Sequence, residues 1–170
     1  AAALELSSLD GSNGFVLNGI DAGDSSGRSV SSAGDINGDG INDLIIGAYE
    51  ADPNGITYAG ESYVVFGKDT AFDAELELSA LNGSDGFVIE GIDADDHSGL
   101  SVSSAGDING DGINDLIIGA YRADPNDNSS AGESYVVFGK DTAVDGAFAA
   151  ALELSSLDGS NGFVIEGIND

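Results

Sequence analysis

Sulfur is absent from this chain. There is no Cys and no Met among its 170 residues, so no disulfide can brace it, and bound metal is the remaining way to cross-link its loops. Basic residues are scarce as well: Arg28, Lys68, Arg122 and Lys140 stand against 31 acids, for a formal charge of -27. A surface of that sign repels phosphate backbones and anionic headgroups, which argues against nucleic acid and against an anionic membrane surface as partners. No apolar run approaches the roughly 18 residues of a membrane-spanning helix, so membrane insertion is not expected. Pro is too rare for a disordered linker, and the 41% of apolar residues suffices for a core. With neither a secretory signal nor a Met at position 1, the expectation is a processed chain or an excerpt of a longer one.

What is present is a nine-residue pattern of oxygen donors, Asp35-Ile36-Asn37-Gly38-Asp39-Gly40-Ile41-Asn42-Asp43, repeated without change as Asp107-Ile108-Asn109-Gly110-Asp111-Gly112-Ile113-Asn114-Asp115. Oxygen-bearing side chains fall at positions 1, 3, 5 and 9, and position 7 can offer only its main-chain carbonyl. That set suits a short loop folded around one hard cation, with glycine at position 6 for the tight turn. The candidate ligands are therefore Asp35, Asn37, Asp39, Ile41 and Asp43 in the first loop, and Asp107, Asn109, Asp111, Ile113 and Asp115 in the second. Three carboxylates in so small a volume repel one another unless a divalent ion lies between them.

All of these donors are oxygen, and the chain's single His lies outside both loops, which argues against zinc, copper and iron. Magnesium is the closer competitor, but it keeps its waters and wants a strict octahedron, so calcium in two sites is the expectation. An EF-hand is excluded by spacing, because its position 12 would fall on Ile46 and Ile118. The alternative is a plain turn, since Asp, Asn and Gly are good turn formers without any metal. Two calcium ions would offset only a small part of the negative charge. The remainder must lie on the surface, and it suits salty or calcium-rich surroundings where screening weakens self-repulsion.

Self-similarity dominates the rest of the chain. The segment Leu4 to Phe15 recurs at Leu76 to Phe87 and again at Leu152 to Phe163, in steps of 72 and 76 residues. The run Ala59 to Lys68 recurs at Ala131 to Lys140, and the extra four residues of the second step lie in the Asp145 to Ala151 connection. Each repeat reads as four strands. Gly27 to Ala33 is rich in Ser, Val and Gly; Asp43 to Tyr49 is an unbroken apolar run, as for a strand covered on both faces; Glu61 to Gly67 and Gly86 to Ile92 alternate. No helical periodicity is found. Small residues in the first strand suit a crowded central axis, which favours radial four-stranded blades, as in a propeller.

The order Ser26-Gly27-Arg28-Ser29-Val30, Asp35 to Asp43, Leu44 to Tyr49, with its second copy from Ser98 to Tyr121, resembles the FG-GAP repeat of integrin α-subunit β-propellers and their bacterial relatives. Ser26-Gly27 and Ser98-Gly99 stand where that family has Phe-Gly, and Tyr49 and Tyr121 where it has Pro. The resemblance implies an all-β chain of four-stranded antiparallel blades of β-propeller (FG-GAP) type, about two blades plus an extra outer strand. Residues 1–24 would be the outer strand of a preceding blade, 25–96 the first blade and 97–170 the second. It also implies calcium binding and an extracellular or cell-surface setting. The loops alone are similar to those of dockerins and thrombospondin type 3 repeats. Dockerins, however, need an acid at position 12, and thrombospondin repeats are rich in Cys.

Two repeats cannot close a ring, so three arrangements stay open: a window of a longer array, a ring completed by several chains, or blades stacked into a fibre. The expected function is a calcium-binding structural or adhesive repeat protein that self-associates with copies of itself or with neighbouring repeats. The alternative is an integrin-like module that binds a protein or glycan ligand inside a larger cell-surface protein. No catalytic residue is expected. His97 aligns with Ser25 of the other repeat, has no recognisable nucleophile motif for company, and is expected in a solvated loop. The acids Asp21, Asp24, Asp93, Asp95 and Asp96 read as solvated loops as well. Asn82-Gly83-Ser84 and Asn128-Ser129-Ser130 match the glycosylation sequon, which has meaning only in a secretory setting.

Overall fold

A computed structural model describes residues 4–168. Antiparallel ladders follow the repeat. In the first blade β2 (Ser29–Gly34), β3 (Asp43–Ala48), β4 (Glu61–Val65) and β6 (Gly86–Glu90) lie side by side in that order. In the second blade β7 (Ser101–Gly106), β8 (Asp115–Ala120), β9 (Glu133–Val137) and β11 (Gly162–Glu166) repeat the arrangement with the same cross-strand partners. The chain is thus all-β and built from blades of β-propeller type.

Local sequence explains each strand. The apolar run of β3 lies between two strands and buries Ile45 and Ile46 on opposite faces. Each inner strand ends in a register shift, Ser32/Gly34 and Ser104/Gly106, where the chain bends out of the ladder into the Asp-rich loop. The outer strands carry Phe87 and Phe163. Phe87 stacks on Phe148 with centroids 4.3 Å apart. The longer Asp145 to Ala151 connection accommodates one helical turn, α1 (Thr142–Asp145), whose N-cap Asp141 accepts the Ala143 N–H at 2.9 Å.

Two short strands escape the sequence reading. β5 (Glu75–Glu77) and β10 (Ala151–Glu153) hold only three residues each, too few to show alternation. β10 joins the first blade as a fifth, parallel strand, with Leu152 opposite Ile89. β5 pairs in parallel with β1 (Val16–Asn18), Leu17 opposite Leu76, in the equivalent register. The N-terminal outer-strand segment thus finds partners within the chain: Phe15 stacks on Phe72 at 4.3 Å, and Leu17 packs beside Leu76 on a core of Ile46, Tyr63, Val65 and Leu78.

The larger core runs through both blades. Across their junction the main chain is stitched: Val102 N–H donates to Ser29 Oγ at 3.1 Å, and the N–H groups of His97 and Ser98 donate to the carbonyls of Tyr58 and Ala59, both at 3.0 Å. Glycine makes this approach possible. A Cβ on Gly47 would lie 1.9 Å from the Gly99 carbonyl oxygen, and one on Gly60 would lie 2.1 Å from that of Ser98. Among the described residues no helix is long and apolar enough to cross a membrane. Residues 1–3 and 169–170 of the outermost sequence divisions lie outside the described residues.

Candidate metal centre

Each Asp-rich loop connects the inner strand of a blade to its neighbour, β2 to β3 and β7 to β8. In the first, the Asp39 N–H is shared by Asp35 Oδ1 at 3.0 Å and Asn37 Oδ1 at 2.9 Å, which places these two oxygens on the same side of the turn. Gly40 N–H donates to Asp35 Oδ2 and Ile41 N–H to Asp39 Oδ1, at 2.9 and 2.8 Å. The second loop repeats every bond: Asp111 N–H to Asp107 and Asn109, Gly112 N–H to Asp107, Ile113 N–H to Asp111. The side-chain oxygens at positions 1, 3 and 5 are therefore gathered by the loop's own amides. Ile41 and Ile113 turn their side chains against Gly67 and Gly139.

The acid at position 9 is placed differently. Asp43 opens β3, is buried, and accepts the Ile36 N–H at 2.9 Å through one oxygen and the Gly67 N–H at 2.8 Å through the other. Asp115 does the same with Ile108 and Gly139, at 2.8 and 2.9 Å. These carboxylates tie the loop to the segment that leaves β4 or β9. Burial pushes the Asp43 carboxyl up to about 6, the two amides pull the other way, and the negative charges of Asp39 and Asp35 push it up further.

Among the described residues, no three His, Asp or Glu side chains converge closely enough to hold an ion by themselves. Any cation here must also draw on Asn37 or Asn109 and on main-chain carbonyl oxygen. The donor chemistry fits a hard cation: it is all oxygen, arranged on a tight loop, and Asp43 is raised in part by unneutralised neighbours. Each oxygen of Asp43 and Asp115 accepts one amide and retains a second lone pair.

The first loop also serves the second blade. Asn114 N–H donates to the Asp35 carbonyl at 3.1 Å, Lys140 N–H to the Ile36 carbonyl at 3.0 Å, and Thr142 N–H to the Asn37 carbonyl at 2.9 Å. Asn114 Oδ1 accepts the Asp35 N–H at 2.9 Å. These clamp residues escaped the sequence reading, although the recurrence of Lys-Asp-Thr at 68–70 and 140–142 marked their place.

The FG-GAP repeat family model matches residues 26–65 and 98–137. The chain carries two FG-GAP repeats. The matched stretches span the three inner strands and the Asp-rich loop of each blade, and leave the outer strands β6 and β11 outside. The chain is 31% identical over 108 residues to a phosphatidylinositol-glycan-specific phospholipase D of Bos taurus, covering 62% of this chain. It is 30% identical over 122 residues to integrin alpha-4 of Xenopus laevis, covering 71% of this chain. It spans only 12% and 10% of the length of these two relatives.

His97 departs from expectation. It is not in a solvated loop but 7% exposed, at the FG-GAP blade junction. Its ring lies between Tyr58 and Tyr121, with centroids 5.6 and 5.8 Å away, and Tyr49 tilts against it at 5.5 Å. Nδ1 is 3.1 Å from the Tyr49 carbonyl oxygen and Nε2 is 3.4 Å from an Arg122 guanidinium nitrogen. Two of the three tyrosines belong to the other blade, which no local pattern around His97 reveals. Asp96 beside it is likewise buried rather than solvated.

Proposed function

We propose that this chain is a non-catalytic, calcium-stiffened FG-GAP module of an extracellular or cell-surface protein, whose blades associate with copies of themselves into a larger array. One calcium ion would sit in each loop, held by Asp35, Asn37, Asp39, the Ile41 carbonyl and Asp43, and by Asp107, Asn109, Asp111, the Ile113 carbonyl and Asp115. The observation that carries this reading is the position of the first loop. Its side-chain oxygens gather on the turn, and three of its carbonyls, Asp35, Ile36 and Asn37, hold the second blade. An ion that sets the loop would therefore set the junction too. The unfolded chain offers no preformed site, so binding would couple to folding.

A second reading is favoured by the similarity to integrin alpha-4: a module that recognises a protein or glycan ligand through its loops. Here the same calcium loops would stiffen a binding surface rather than a self-assembling one. Neither reading assigns chemistry to the chain. The match to the phospholipase D covers 12% of that protein, and His97 is enclosed by aromatic rings.

A thermal melt with calcium and with a chelator tests the metal. The midpoint should fall on chelation, and the double substitution Asp39→Ala with Asp111→Ala should melt at the chelated midpoint under both conditions. An unchanged midpoint would leave the loops as plain turns. Asp43→Ala should remain destabilising even in chelator, because it strands the Ile36 and Gly67 amides.

A further inference from the structure

The chain carries one outer strand three times, as Phe15 to Asn18, Phe87 to Glu90 and Phe163 to Glu166, and two of the three are covered along their edge by an extended segment. Phe72 to Glu77 runs over β1, and Phe148 to Glu153 runs over β6, each ending in a parallel strand. The two contacts agree in detail. Phe72 stacks on Phe15 and Phe148 on Phe87, both with centroids 4.3 Å apart. The Val16 N–H donates to the Ala74 carbonyl at 2.9 Å, and the Val88 N–H to the Ala150 carbonyl at 3.0 Å. Leu76 then lies opposite Leu17, and Leu152 opposite Ile89. The turn before each outer strand must be glycine to let the segment pass: a Cβ on Gly11 would lie 2.1 Å from the Phe72 carbonyl oxygen, and one on Gly83 would lie 2.2 Å from that of Phe148.

β11 has the same features and, among the described residues, no cover. Val164 stands opposite Tyr135 as Val88 stands opposite Tyr63, so its N–H points away from β9 toward the open edge. Phe138 and Phe163 repeat the pair Phe66 and Phe87, with centroids 5.9 and 6.0 Å apart, but the third ring that Phe148 supplies to the covered set has no counterpart. Gly159 makes the same turn as Gly83, its N–H on the Gly162 carbonyl at 2.8 Å, yet nothing lies within 4 Å of a Cβ built on it. Ile89 is 1% exposed, whereas its counterpart Ile165 is 50% exposed. An aromatic face, an apolar side chain and an outward N–H are thus set in the geometry that twice receives a strand.

We propose that the free edge of β11 binds an extended segment of a partner protein, taken up as a parallel strand with a Phe stacked on Phe163 and a Leu opposite Ile165. The covered edges give the pattern of the segment: Phe first, a small residue third, Leu fifth and Glu sixth, as in Phe72-Asp73-Ala74-Glu75-Leu76-Glu77 and Phe148-Ala149-Ala150-Ala151-Leu152-Glu153. A carboxylate at the sixth position has a partner waiting. Asn54 Nδ2 is shared by Glu90 and Glu153, at 2.8 and 3.3 Å, and Asn126 Nδ2 donates to Glu166 at 2.6 Å with its second hydrogen left for the incoming Glu. A second copy of the chain is a poor donor, because both of its matching segments already lie on its own β1 and β6, and chains carrying -27 each repel one another. This site goes beyond both readings above and requires neither.

The test is a fluorescein-labelled peptide of the chain's own residues 146–156, titrated with the full chain and followed by anisotropy. Binding should saturate at one peptide per chain, and hydrogen exchange at the Val164 amide should slow. Phe148→Ser within the peptide should weaken binding at least about tenfold through the lost stacked ring, and Leu152→Asp within it should abolish binding. These variants leave the chain untouched, so no folding defect can mimic their effect. On the chain, Ile165→Asp and Val164→Pro, the second deleting the outward N–H, should each abolish binding with circular dichroism unchanged. Absence of saturable binding, or binding indifferent to Phe148→Ser, Leu152→Asp and Ile165→Asp, would overturn the proposal. A chain that self-associates in sedimentation velocity and turns monomeric on Ile165→Asp would assign this edge to a second copy and overturn it as well.

Discussion

His97 Nδ1 lies 3.1 Å from the carbonyl oxygen of Tyr49, a contact between the second blade and the first. The opposite ring nitrogen faces Arg122. The ring thus bridges the blades, with one nitrogen against a carbonyl of the first blade and the other against a guanidinium of its own. The other repeat has Ser25 here, bonded to Glu50 where the second repeat has Arg122. The pair changes together: Ser with Glu, His with Arg.

Replacing His97 by Ser should therefore cost about 2–3 kcal/mol, through the cavity left among three tyrosines and the unpaired Tyr49 carbonyl. Backbone strain would not contribute, since Ser25 adopts φ 56 at the equivalent position and His97 φ 57. Urea denaturation of the two chains side by side measures it, and equal midpoints would show that the cage carries no stability.

Gly47→Ala and Gly119→Ala alter the same position of two nearly identical repeats. At Gly47 the added methyl meets main-chain oxygen at 1.9 Å, which no rotamer change relieves; at Gly119 it meets only the Ser101 hydroxyl oxygen at 2.6 Å. The first should cost about 2 kcal/mol or more and the second below about 1 kcal/mol. Melting both at high dilution checks the difference, and equal losses would mean that the blades do not meet as described.

Asp96 supplies a pH dependence. Burial, with the nearby charges of Asp93, Glu133 and Asp124, pushes its carboxyl up to about 6 from an ordinary 3.8. A raised acid favours the folded state below its unfolded value, and that contribution is lost as pH rises through about 6. Asp96→Asn should thus raise the melting midpoint near neutral pH. Near pH 4 the two proteins should melt almost together, so a gain that stays constant across the range would contradict a titrating Asp96.

What the sequence determined by itself was everything that repeats locally. The nine-residue oxygen pattern, the apolar run of Leu44 to Ala48 and the alternation of Glu61 to Val65 each report their own backbone, because side-chain period and turn chemistry act over a few residues. Strands, loops and the family resemblance were therefore legible, as were the gathered oxygens of Asp35, Asn37 and Asp39. The three-residue strands β5 and β10 were not, since a parallel pairing between segments tens of residues apart leaves no alternation in either. Only the tertiary structure decided which of two identical loops is covered. Ile36 and Ile108 sit in the same nine residues, yet one is buried and the other exposed. Burial is a property of what lies across the gap, and across the first loop lie Asn114, Lys140 and Thr142.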